Sequence, residues 1–130
     1  YKSYKRKSTN IIQSREDYCE NQKKIINDLM NEEKPYLNPD LNLAELSKLT
    51  NMSTNQLSET LNSCFQKNFN DFINEYRVDE VKKRLDIGQH LNLSFLGIAL
   101  DCGFNSKATF NRVFKRITGQ SPTEYIKNFK

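Results

Sequence analysis

Histidine occurs once in this 130-residue chain, cysteine three times and glycine four times. The single histidine, His90, lies in the polar stretch Gly88–Asn92 and reads as a plain loop residue rather than a general base or ligand. The glycines form no phosphate-cradling loop, the cysteines lack close Cys/His metal spacing, and no nucleophile sits near a base in a recognisable motif. The reading is therefore not an enzyme: it has no catalytic residues, no metal site and no cofactor. No run approaches the ~18 apolar residues that span a bilayer, and no secretory signal is visible. Cys19, Cys64 and Cys102 are odd in number, and the last two stand beside apolar positions. Free thiols acting as small buried hydrophobes in a reducing compartment are expected, with redox or metal chemistry as the alternative.

What is present is cationic and unevenly spread. The formal charge is +4. Residues 1–7 hold Lys2, Lys5, Arg6 and Lys7 and no acid. From Ser94 onward Lys107, Arg112, Lys115, Arg116, Lys127 and Lys130 face only Asp101 and Glu124. Between Asn42 and Ile73 the balance is slightly acidic: Lys48 and Lys67 against Glu45, Glu59 and Asp71. A polyanion would be gripped mainly by the C-terminal third.

Apolar spacing points to helices throughout and to no set of alternating strands, so the chain reads as all-α. Residues 1–14 show no sustained period and read as a basic linker. It is either a solvated tail, a crossing from a sensor domain, or a segment just inside a membrane, where Lys, Arg and Tyr are favoured. The start at Tyr1 rather than Met reads as a cut from something longer. A helix over 15–33 is expected, with Tyr18, Ile25, Ile26 and Leu29 on one stripe and Ser14 and Asp17 near a cap. Pro35 and Pro39 then form a turn. Leu43, Leu46 and Leu49 mark a short helix, and Ser53 caps another that turns Leu57, Leu61 and Cys64 inward. Phe69, Phe72, Ile73, Tyr76, Val78, Val81 and Leu85 mark a long helix ending before Gly88. Phe95, Leu96, Ile98 and Ala99 open a second set. After the Gly103 corner come a helix seated on Phe110, Val113, Phe114 and Ile117, and a last helix with Tyr125, Ile126 and Phe129.

An internal repeat sets the architecture. Leu43, Leu46 and Ser47 recur fifty-two residues later as Phe95, Ile98 and Ala99. Beyond the turn the offset is fifty-three, pairing Ser53 with Ser106, Leu57 with Phe110, Leu61 with Phe114, Gln66 with Gly119 and Phe72 with Tyr125. Each copy is a helix-turn-helix, over about 42–73 and 94–127, joined by a connector helix over about 70–86 within a domain of 15–130. Two such units on a stiff connector could enter successive major grooves, roughly 34 Å apart.

Ile98-Ala99, Cys102-Gly103-Phe104, Ser106, Phe110, Arg112, Phe114-Lys115, Gly119, Ser121-Pro122 and Tyr125, with Arg77 in the connector, resemble the C-terminal DNA-binding domain of the AraC/XylS family of bacterial transcription regulators. The resemblance covers about 24–127. It departs from the family at Ser47, where alanine is common, at Glu59, where a basic residue is frequent, and at Gln66, in place of glycine.

The resemblance implies sequence-specific binding of double-stranded DNA by the output domain of a regulator, in the cytoplasm or tethered to the inner membrane. The partners it implies are RNA polymerase, a sensor or transmembrane region on the N-terminal side, and a second copy in the full-length protein. By the same resemblance the base-edge positions are Asn55, Ser58 and Glu59 in the first unit and Ala108, Thr109 and Arg112 in the second, with Lys107 close by. Arginine can take guanine O6 and N7, asparagine pairs with adenine, glutamate accepts from cytosine N4, and small methyl-bearing side chains suit thymine. Ser53 and Ser106, as caps, leave N–H groups for phosphates, and Lys115 and Arg116 read as backbone clamps. The competing reading is a helical protein-interaction module on the same fold, which Glu59 and the near-neutral first unit favour. Residues 15–33 read either as core packing against Leu43 and Leu46 or as a dimerising or signal-coupling helix. Glu32-Glu33 and Asp79-Glu80 read as solvated faces.

Overall fold

The computed structural model describes the backbone of residues 2–129 and the side chains of residues 13–128. All regular structure among them is helical: α1 (Lys2–Glu33), α2 (Leu43–Thr50), α3 (Thr54–Thr60, continuing as a π-turn over Leu61–Phe65), α4 (Phe69–Asp86), α5 (Phe95–Asp101), α6 (Lys107–Thr118) and α7 (Pro122–Phe129). Two helix-turn-helix units, α2–α3 and α5–α6, share the long α4.

α1 runs back to Lys2, past the start expected near Ser14, and Gln13 donates to Asp17 inside it. No glycine or proline interrupts residues 1–34, so nothing in the sequence stops a helix there. The roles expected of the Tyr1–Lys7 side chains, and of Phe129, lie outside the described residues. The buried stripe of α1 is Ile26 and Met30, whereas Tyr18 and Ile25 are 43% and 48% exposed. Leu49 and Ile117, expected inside, are also substantially exposed.

Each unit has its own core. Ile26, Met30, Leu46, Leu57, Leu61, Phe72 and Ile73 form the first; Val78, Val81, Leu85, Ile98, Phe104, Phe110, Val113 and Phe114 form the second. The N-terminal half of α4 thus belongs to one unit and its C-terminal half to the other. Side-chain caps start the helices at matching places: Asn42, Ser53, Asn68, Ser94 and Ser106 each accept an N–H three residues on. The corners also match. Asn51 and Gly103, fifty-two apart, and Gln66 and Gly119, fifty-three apart, all have positive φ. Gln66 therefore takes the left-handed conformation in which a glycine would be unstrained.

The seam between units is polar. Arg77 donates from Nε to the Tyr36 carbonyl at 2.8 Å and from Nη2 to the Asn38 carbonyl at 3.0 Å. Glu80, expected on a solvated face, is 7% exposed. Arg84 at 3.3 Å and Lys34 at 3.7 Å compensate its charge, and the Tyr36 hydroxyl donates to it at 3.5 Å. His90 lies in the short turn between α4 and α5, with its ring stacked on Phe95 at 6.4 Å and Nδ1 shielded from solvent.

Two acids in this seam hold their protons tightly. Burial, then the Glu80 charge, pushes the Tyr36 hydroxyl to about 12, and burial pushes the Cys102 thiol to about 12. Both groups ionise at lower pH in the unfolded chain than in the folded one. Their contribution is therefore complete below about pH 9 and is lost as pH rises towards 12. Urea midpoints measured from pH 8 to 11.5 should fall steadily, and more gently in Tyr36→Phe. An equal slope in that variant would remove Tyr36 from the account.

A further departure is covalent. Cys19 and Cys64, expected as free thiols, form a disulfide across α1 and the π-turn, with Cα atoms 5.3 Å apart. Packing of α1 over the end of α3 brings them within bonding reach, which spacing along the chain could not reveal. Cys102 remains a buried free thiol, as expected.

Candidate nucleic-acid interface

In the second unit, Phe110, Val113 and Phe114 seat α6 in the core, with Phe110 against Phe104 at 5.3 Å and Phe114 against Tyr125 at 5.7 Å. This leaves Lys107, Ala108, Arg112, Lys115 and Arg116 exposed on the opposite side, with Thr109 half-buried beside them. α6 carries four cations and no acid. Ser106 accepts the Thr109 N–H at 3.2 Å and donates to the Thr109 hydroxyl at 3.0 Å, so that side chain is oriented by the cap. Lys107 and Lys115 flank a groove between α5, α6 and the start of α7. Arg116 is not unengaged: its guanidinium donates to Asp71 of α4 at 3.2 Å, with both groups half-exposed. A phosphate would have to compete with that carboxylate for it.

In the first unit, Leu57 and Leu61 face the core, which leaves Asn55, Glu59 and Asn62 exposed and Ser58 half-buried. Ser53 accepts the Gln56 N–H at 3.0 Å. A contact absent from the sequence reading lies on the flank of α3. The Gln56 side chain donates to the Tyr18 hydroxyl at 3.4 Å, and that hydroxyl lies 3.4 Å from Thr60 Oγ1. Arg15 and Glu59 line the same open groove of ≈ 470 Å³ between α1 and α3. Arg15 stands one turn before Cys19, but without the fold nothing linked it to α3. The structure thus places the expected residues on two separate edges, a strongly basic one on α6 and a near-neutral one on α3.

A family model described as a helix-turn-helix domain matches residues 46–128, more than half of the chain. The chain belongs to the AraC-type helix-turn-helix family. It is a DNA-binding domain of the transcription-regulator kind. An uncharacterized HTH-type transcriptional regulator of Staphylococcus aureus strain COL is 33% identical over 112 residues, covering 83% of this chain and 15% of that protein. The chain thus spans about a seventh of the length of such relatives. Among solved structures, a Listeria innocua protein of unknown function overlays with TM-score 0.63 and 26% identity, over 78% of this chain and 92% of that one. A DNA-binding transcriptional dual regulator from Escherichia coli K-12 overlays with TM-score 0.66 and 21% identity, over 82% and 95%. The C-terminal domain of the response regulator yesN from Fusobacterium nucleatum gives TM-score 0.62 and 24% identity, over 82% and 98%. At those identities the last two support the AraC-type fold and nothing finer. No helix among the described residues is long and apolar enough to cross a membrane.

Proposed function

We propose that this chain reads double-stranded DNA as the output domain of a bacterial transcription regulator, with α3 and α6 entering successive major grooves. The observation that carries this is the two-sided character of α6: phenylalanines sealed in the core behind it, and Lys107, Arg112 and Lys115 exposed along its outer edge, with Arg116 shared with Asp71. On this reading Arg112, Lys107, Ala108 and Thr109 meet base edges in one half-site, and Asn55, Ser58 and Glu59 do so in the other. The N–H groups next to Ser53 and Ser106, with Lys115 and Arg116, hold phosphates. The domain works by binding rather than catalysis, in the cytoplasm or at the inner membrane. A sensor or membrane region on the N-terminal side supplies the signal, and RNA polymerase and a second copy are partners of the longer protein.

Duplexes selected from a random pool, followed by gel shift at two salt concentrations, test this directly. Arg112→Ala should lose roughly 1–3 kcal/mol of discrimination between selected and random duplexes. Lys115→Ala should weaken both alike and reduce the salt slope by about one. Equal losses on both duplexes for both variants would undo this assignment. Salt-indifferent association, or none, would favour the protein-interaction module that the exposed Glu59 permits.

A further inference from the structure

The disulfide occupies an unusual position. Gln56, Thr60 and Cys64 are four residues apart and so form one stripe along α3 and its π-turn. α1 touches that stripe at all three heights: the Tyr18 hydroxyl meets Gln56 and Thr60, and Cys19 is bonded to Cys64. The stripe borders the base-edge face directly, because Glu59 lines the groove between the two helices. Both hydrogen bonds are long, at 3.4 Å, and Tyr18 is 43% exposed. Besides the covalent bond, this end of α1 is held to the reader by these two hydrogen bonds and, one turn further on, by Lys23 over the Phe65 ring at 5.9 Å. The other end needs no such help, since Ile26 and Met30 are anchored in the core.

The bond is also reachable. Cys19 is half-buried at the edge of the open groove, while Cys64 is buried behind it. Cys102 offers no competing thiol, being sealed in the second core with its proton held tightly. The π-turn that Cys64 closes is the least regular part of the reader, where a cross-link has most to restrain.

We propose that Cys19–Cys64 is a thiol–disulfide exchange site that sets how firmly α3 is held for DNA. Closed, it braces the first unit's reader; opened, it frees residues 13–19 from α3 and weakens reading of the first half-site. The opening reductant is a dithiol. One of its thiolates attacks a disulfide sulfur and expels the other cysteine as thiolate; its second thiol then displaces the first cysteine and closes a cyclic disulfide. Two electrons and two protons pass to Cys19 and Cys64. A small-molecule disulfide such as oxidised glutathione reverses the step and leaves as two thiols.

This rests on the DNA reading above, and the test separates the two. The air-oxidised chain is compared with the same chain in dithiothreitol, on a selected duplex and on versions with either half-site scrambled. Mass spectrometry after alkylation counts the thiols, and circular dichroism confirms that the reduced chain stays folded. Reduction should expose Cys19 and Cys64 and weaken binding about five- to tenfold wherever the first half-site is intact, as a modest coupling between two sites would. Duplexes keeping only the second half-site should be unaffected. Cys19→Ser/Cys64→Ser should match the reduced chain and ignore dithiothreitol. If that variant does not fold, the wild-type pair of states decides. Salt-sensitive binding that is indifferent to the dithiol, or a loss that is equal on every duplex, overturns the switch and leaves the DNA reading standing. Absence of binding in either state overturns both.

Discussion

Gly103→Ala should cost about 3–5 kcal/mol and lower the melting midpoint by roughly 10–20 °C. A Cβ at this position would lie 2.2 Å from the Tyr36 carbonyl oxygen and 2.7 Å from Arg77 Nε, on a backbone with φ +102°. The carbonyl cannot retreat cheaply, because it accepts the Arg77 Nε–H at 2.8 Å and so helps fix the turn between α1 and α2 to the connector. Strain and a disturbed, partly buried hydrogen bond therefore add. Gly119→Ala is the control: φ is +80° there, but nothing lies within 4 Å of the added carbon, so only the conformational cost of about 1 kcal/mol remains. Urea unfolding of both variants is decisive, and similar losses at the two positions would mean that close approach at the corner matters little.

Phe114→Ala should remove about 3–5 kcal/mol, the usual cost of truncating a fully buried aromatic ring. Phe114 has 0% exposure and touches the rings of Phe110 and Tyr125 at 5.6 and 5.7 Å. The loss should be local before it is global: amides of α6 should exchange faster, and affinity for the second half-site should fall although no DNA-facing residue has changed. Ile117→Ala, on the same helix but 36% exposed, should cost less than about 1 kcal/mol. Comparable exchange rates in α3 and α6 of the Phe114→Ala variant would show that the two cores do not respond separately.

The repeat was visible because it is written in residues whose roles are local. Caps, corner residues and core aromatics recur at fixed offsets, and each acts within a turn or two of itself. The α6 edge was legible for the same reason, since helical spacing alone separates Phe110 and Phe114 from Arg112 and Lys115. What escaped depends on helices meeting. Whether Cys19 reaches Cys64, forty-five residues away, is decided by where α1 lies on α3. Glu80 looks solvated until Lys34 and Arg84 are brought beside it, although the Glu80–Arg84 spacing was a signal in hand. The N-terminal extent of α1 was missed because residues 1–14 carry no sustained apolar period, the signal by which a helix is read. Residues 15–33 read as a core-facing or coupling helix, and nothing along the chain puts Tyr18 beside Gln56 and Thr60 of α3.

α4 gives its early turns to one core and its late turns to the other. Its 18 residues make a rod of about 27 Å, and a rod has a rotational phase as well as a length. Adding one residue between Ile73 and Val78 would shift the second unit by only 1.5 Å but swing it by about 100°. The two units therefore cannot be moved apart along this helix without also being turned against each other, so their spacing and their relative orientation are tied together by the pitch of a single helix.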